Sequence, residues 1–291
     1  MDEIVVGMGE VLWDVKDYVR KIGGAPANFA YHVSQFGLPA CVVSAIGDDN
    51  LGYGIIDEFD AKGLDYRLAK VPFPTGIVNI KLDNAGVPDY DIKEGAAWDN
   101  IPFTPELEQL AKHTRAVCFG SLAQRCSVSR HTILHFIDAM PVSDDRLIIF
   151  DVNLRLNFYD KEILCESMKR CNVLKINDDE LIIVAKILGY DGSDIDICRT
   201  ILNDFGLKIL ILTCGTKGSI VFTPGYYSFR PTDKVNAIDT VGAGDSFTAA
   251  FISGILKGKS VTEAHFSAVR TSAFVCTQNG AMPLLPADLT Q

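Results

Sequence analysis

Asp239-Thr240-Val241-Gly242-Ala243-Gly244-Asp245-Ser246-Phe247 sets two glycines in a short turn between two acids, and an apolar stretch rich in small residues follows (Ala249, Ala250, Phe251, Ile252, Ile255, Leu256). The apolar stretch reads as a buried helix, which places the glycines at its N-terminus. Unpaired backbone N–H groups and the positive end of the helix dipole attract an anion there, and a residue without a Cβ lets a phosphate approach the backbone. Asp245 is then a carboxylate beside an anion site. That placement costs electrostatic energy, and it suits a general base taking the proton of an attacking hydroxyl. The competing reading is a glycine-capped turn whose acids cap the helix.

Outward from this segment the chain alternates. Residues 4–9, 40–46, 116–120, 147–151, 173–176 and 209–213 are short apolar runs that predict buried parallel strands, with helices over 25–36 and 54–62 and further helical stretches between the later strands. Such alternation predicts one doubly wound α/β domain over 1–291, its mostly parallel sheet flanked by helices and its ligands gathered outside the carboxyl ends of the strands. Residues 76–82 and 87–92 depart from the pattern, with partial alternation around Asp83-Asn84-Ala85-Gly86. A small β-sheet lid is expected from about 14–22 and 75–97; an edge extension of the main sheet is the alternative.

Composition excludes several classes. The 291 residues are 48% apolar, enough for a sizeable core, and the formal charge of -10 argues against a nucleic-acid partner. Eight cysteines lie scattered with no C-x-x-C pair and read as reduced, mostly buried thiols. No basic apolar leader opens the sequence and no apolar run reaches about 18 residues. A soluble, cytoplasmic protein without a membrane partner is expected. There is no G-x-x-x-x-G-K-[ST] loop, Gly7-Met8-Gly9 lacks the third glycine of a dinucleotide fingerprint, and no His/Cys cluster has zinc spacing. His131 and His135 lack the glutamate of a zinc-binding helix and read as surface residues.

Other polar groups follow strands or open helices. Gly23-Gly24-Ala25-Pro26-Ala27-Asn28 puts a glycine pair at the mouth of a helix, with Pro26 suited to the first turn and the Asn28 amide available to a hydroxyl; a ligand-free corner is the alternative. Asp14, after the first strand, can accept two hydroxyl hydrogens of a polyol, or be a solvated loop acid. Arg155, in Asp151-Val152-Asn153-Leu154-Arg155, offers a fork of donors to a phosphate, or a surface ion pair. Asn177-Asp178-Asp179-Glu180 suits Mg²⁺ and equally a capping box, and both can hold at once. Thr213, Gly215 and Gly218 form a plausible loop for nucleotide phosphate or ribose, or a plain turn.

Taken together the sequence resembles the ribokinase-like (PfkB-type) carbohydrate kinases over essentially its whole length, with Gly23-Gly24 and residues 239–247 matching the two family signatures in order. Residues 9–14, 23–30, 121–125 and 151–155 look most like bacterial fructokinases. The resemblance implies the ribokinase-like α/β fold with a β lid over the sugar. It implies Asp245 as base, Gly242, Ala243 and Gly244 with the Asp245 amide as anion hole, and Asp14, Gly23, Gly24, Asn28 and Arg155 as substrate contacts. ATP and Mg²⁺ would use Asn177, Glu180, Thr213, Gly215 and Gly218. A monovalent cation, K⁺, would use Asp239, Val241, Val275, Gln278, Gly280 and Leu284, largely through carbonyls; Val241 and Leu284 replace residues that are often hydroxylic in relatives. The implied reaction is transfer of the γ-phosphoryl of ATP to a primary hydroxyl of a sugar, with fructose giving fructose 6-phosphate.

Alternative substrates are ribose, a nucleoside or aminoimidazole riboside, and 2-keto-3-deoxygluconate. Trp13 or Trp98 would stack a base, and Arg125 or Arg155 would bind a carboxylate. A non-catalytic sugar sensor is the reading from another class. Lids of such kinases often pair in a homodimer, for which Ile77, Val78, Ile80 and Val87 offer an apolar face.

Overall fold

The computed structural model describes residues 3–16, 19–82 and 88–290. The turn expected at residues 83–86, and Val87 with it, lies outside them. In chain order the first half contains β1 (Ile4–Met8), β2 (Leu12–Lys16), β3 (Val19–Gly23), α1 (Ala25–Gln35), β4 (Ala40–Gly47), α2 (Asn50–Lys62), β5 (Asp65–Val71), β6 (Gly76–Leu82), β7 (Pro88–Ile92), α3 (Pro105–Lys112), β8 (Thr114–Gly120) and α4 (Ser127–Ala139). The second half adds β9 (Leu147–Asp151), α5 (Lys161–Arg170), β10 (Val173–Asn177), α6 (Asp178–Leu188), α7 (Asp194–Asp204), β11 (Ile209–Thr213), β12 (Ser219–Thr223), β13 (Tyr226–Arg230), α8 (Ala243–Leu256), α9 (Val261–Cys276) and α10 (Ala287–Thr290). α2 starts a turn before the expected Gly54, because the Asp49 carboxylate caps the Gly52 N–H at 2.7 Å.

The main sheet has the order β13-β12-β11-β10-β9-β8-β1-β4-β5. From β11 to β5 all neighbours are parallel; only β12 and β13 at one edge are antiparallel. Strand residues alternate between two cores, as a pleated strand dictates. Val6, Met8, Val117, Phe119, Phe150, Leu174 and Leu212 pack with residues of α3 to α7. Val5, Ala116, Cys118, Ile149, Val173 and Ile211 pack on the opposite side with α1, α2, α8 and α9. The chain passes from β1 to β4 on one side and later adds β8 and β9 on the other, so the strand order reverses beside β1. A crevice opens at the carboxyl ends of strands at such a switch point.

A second sheet, order β3-β2-β6-β7, stands separate from the first. β2 pairs with β3 antiparallel and with β6 parallel, so the two segments singled out in the sequence meet in one layer. The sheet is not an edge extension of the main one. Asp14 is accordingly part of β2 rather than of a loop after β1. Of the apolar residues considered for a dimer face, Val78 is buried in the protein's own core and Ile77 is half-buried, while the side chains of Ile80 and Val87 lie outside the described residues. Among the described residues no helix is long and apolar enough to cross a membrane.

The position of α1 depends on Gly7. A Cβ there would stand 2.0 Å from the Pro26 carbonyl oxygen and 3.2 Å from the Ala30 Cβ, so the helix lies directly on β1. Gly7→Ala should therefore push α1 off the sheet and lower stability by about 1–3 kcal/mol, read as a lower urea midpoint at unchanged slope.

Candidate active site

α8 starts where Gly242 turns left-handed (φ 80°), and no side chain caps it. A Cβ on Gly242 would meet Ala281 atoms at 2.7 to 2.9 Å, so both the conformation and the packing demand glycine. The acids do not cap the helix. Asp239 instead accepts the N–H groups of Val241 and Gly280, each at 3.1 Å, and staples the turn to the segment after α9. Ala243 donates its N–H to the Thr240 carbonyl at 3.2 Å. Among the described residues the amides of Gly242, Gly244 and Asp245 have no partner, which leaves a positive N-terminal turn at the crevice.

Asp245 lies in the first turn of α8, and its Oδ2 accepts the Asn28 Nδ2–H at 2.7 Å. This bond crosses from α1 to α8 and joins the two glycine signatures. Asn28 Oδ1 is buried without a partner, as is Glu10 Oε2. Burial raises the Asp245 carboxyl above the usual range, against the Asn28 bond and the charges of Lys175 and Arg155. Burial pushes Glu10 up to about 7 and Asp14 up to about 6, with Arg155 opposing both. Asp14 Oδ2 would be 2.4 Å from a Cβ on Gly23, so that glycine makes room for the carboxylate. Gly24 takes φ 114° against the Glu10 carbonyl at the start of α1. Asp14, Gly23, Gly24, Asn28 and Asp245 thus come together.

Asn177 and Glu180 form a full capping box at α6. The Glu180 carboxylate also accepts the Leu154 N–H at 3.0 Å, and so fixes the loop that carries Arg155. Arg155 is exposed, and among the described residues its guanidinium donates only to the adjacent Leu154 carbonyl and forms no surface ion pair. Thr213 ends β11 beside Asn177, while Gly215 opens an exposed helical turn closed by Cys214 N–H to Gly218 O at 2.8 Å.

The profile described as pfkB family carbohydrate kinase matches residues 2–288. The chain belongs to that family. The uncharacterized sugar kinase PH1459 of Pyrococcus horikoshii is 30% identical over 267 residues, spanning 89% of this chain and 81% of the relative. Fructokinase-2 of rice (Oryza sativa subsp. japonica) is 28% identical over 310 residues, 97% of this chain and 91% of the relative. The fructokinase of Xylella fastidiosa, solved with bound ATP, superposes with a TM-score of 0.87 at 18% identity, covering 98% and 96% of the two chains. The fold is the ribokinase-like α/β fold, and the protein is a PfkB-family carbohydrate kinase.

In this kinase several residues weighed from sequence turn out to be structural. Trp13 is buried and donates its indole N–H to the Leu51 carbonyl at 2.9 Å; Trp98 is buried against Gly76. Neither offers a face for stacking a base. Arg125 holds both oxygens of Asp99 at 2.8 Å, with its guanidinium over the Trp98 ring, so it is committed to the fold. His131 and His135 are exposed on α4, as expected.

Three charged groups of the site were not singled out from sequence: Glu10, Lys21 and Lys175. Lys21, on β3, reaches Asp239 Oδ2 at 3.5 Å and so ties the small sheet to the anion turn. The signal for Lys175 was a lone charge inside the apolar run Val173-Leu174-Lys175-Ile176.

Among the described residues no three His, Cys, Asp or Glu side chains converge as a metal cluster. The Asp239 oxygens are engaged by Val241, Gly280 and Lys21, so a cation near Val241, Val275, Gln278, Gly280 and the exposed Leu284 would rely on carbonyls.

The raised pKa of Asp14 has a signed consequence. The folded state binds this proton more tightly than the unfolded chain, so ionised Asp14 destabilises the fold above about pH 6, and the penalty fades as pH falls toward 4. Asp14→Asn should accordingly raise Tm at pH 8 and lose that advantage at pH 4, as thermal unfolding at the two pH values will show.

Proposed function

We propose that the protein phosphorylates fructose at its primary 6-hydroxyl with ATP. The observation that carries the reading is Asp245, hydrogen-bonded to Asn28 beside the unpaired amides of Gly244 and of Asp245 itself. The sugar hydroxyl oxygen attacks the γ-phosphorus in line and its proton passes to an Asp245 oxygen. The bond from the γ-phosphorus to the β,γ-bridging oxygen breaks, and ADP leaves with that electron pair. The amides of Gly242, Gly244 and Asp245 meet the negative charge on the transferring group. Asp14 and the free Asn28 Oδ1 accept sugar hydroxyl hydrogens, and Gly23 and Gly24 let the sugar lie close to the backbone. The small sheet acts as a lid that excludes water.

Thr213, Gly215 and Gly218 line the nucleotide side, and Arg155 swings onto a phosphate. Asn177 and Glu180 would orient the waters of an Mg²⁺ bound with ATP, an ion that would neutralise phosphate charge. A monovalent cation on the carbonyls near Asp239 would strengthen the anion turn. Similarity to rice fructokinase-2 supports fructose among the sugars. One second reading has support: an acidic sugar such as 2-keto-3-deoxygluconate, whose carboxylate would pair with Arg155, the site cation that makes no ion pair among the described residues.

An ADP-release assay across fructose, ribose, ribosides and 2-keto-3-deoxygluconate tests the choice. Fructose should give the highest kcat/KM; a higher value for the acid would establish the second reading, and sugar binding with no ADP release would make the protein a sensor. Asp245→Asn should lower kcat by about 10²–10⁴-fold with little change in ATP or sugar affinity.

A further inference from the structure

Asp245 sits among more negative charge than its own bonds can answer. Glu10 follows β1, Asp14 is on β2 and Asp151 ends β9, and each interacts electrostatically with it. The Cys118 thiol faces it from β8 and Asn28 from α1. The cations acting on it are Arg155 and Lys175. Arg155 is exposed on a loop and, among the described residues, bonded only to its neighbour's carbonyl, so its position is soft.

Lys175 is held in place. The register of β10 on β9 sets it directly opposite Asp151. Alternation along β10 turns it to the same side as Val173, the side covered by α1 and α8. Its Nζ lies 3.1 Å from Asp151 Oδ1, with only 8% and 6% of the two side chains exposed. A Cβ on Gly244 would stand 3.0 Å from that Nζ, so the ammonium lies under the anion turn itself. Asp151 and Asp245 both line one small cavity, of about 10 Å³, with Asn153 and Thr248. A buried ion pair adds little net stability over apolar residues of similar shape. Its place under the turn therefore calls for a functional reason.

We propose that Lys175 is a positioning residue of the phosphoryl-transfer site: clamped by Asp151 beneath Gly244, its ammonium is the permanent counter-charge of the Asp245 carboxylate. The inference rests on Asp245 being the base. The ion pair of Lys175 with Asp151 at 3.1 Å holds the ammonium in place whether or not substrate is present. Because the ammonium is fixed before substrate arrives, no reorganisation is needed when negative charge builds at the turn. The same contact explains why residue 244 is glycine: a Cβ would press on the ammonium.

The test follows the Asp245 proton directly, without substrate. In enzyme labelled with ¹³Cγ-aspartate, the Asp245 resonance is the one missing from Asp245→Asn, and its titration midpoint is read by NMR. Lys175→Met should raise the midpoint by about one pH unit or more, and Lys175→Arg should restore it. If Lys175→Met does not fold, Lys175→Gln, which keeps a donor for Asp151 but carries no charge, should raise the midpoint likewise. A midpoint equal to that of the wild type in Lys175→Met or in Lys175→Gln overturns the proposal. Normal turnover in Asp245→Asn would instead overturn the base assignment, a separate result.

Discussion

The site depends on one steric constraint: residue 242 has no room for a Cβ. Its left-handed turn lies hard against Ala281 and lets α8 begin without a side-chain cap. The amides that a cap would have satisfied stay open at the end of the crevice. Asp239 holds that arrangement from outside the helix by bonding Val241 and Gly280 together.

Around the turn, the two glycine signatures are joined by side chains rather than by backbone. Asn28 on α1 holds Asp245 on α8. Lys21 on the small sheet reaches Asp239. The lone buried oxygens of Glu10 and Asn28 mark a site that is polar yet short of partners, the state expected where a ligand completes the bonding. Capping geometry also shapes the crevice at α6. Glu180 gives both oxygens to backbone amides, one capping α6 and the other anchoring the loop of Arg155, so one box shapes two pieces of the crevice.

Much of the fold was legible because buried parallel strands are short apolar runs punctuated by glycines. β9 and β11 have the expected bounds, and β1, β4, β8 and β10 are placed to within a residue or two. α2 began earlier than expected because its cap, Asp49, lies in the run Asp48-Asp49-Asn50, which is a weaker signal than apolar periodicity. The strand Leu12–Lys16 was not delimited in the sequence, where the lid segment was started at Asp14, because five residues ending in polar ones have no clear period of their own. Trp13, Trp98 and Arg125 looked available to ligand for a related reason: residue type shows what a side chain can bond, not what it already bonds.

The sequence alone determined the α/β alternation, the glycine turn that opens α8 and the acid set beside it, since each follows from local periodicity or from the steric freedom of glycine. Tertiary structure alone decided which charges share the crevice. Glu10 follows β1 while Lys21, Asp151 and Lys175 lie on three different strands, and they meet only through the order of the strands and their register. A pairing such as Lys175 with Asp151, 24 residues apart, is set by sheet register rather than by either local stretch of chain.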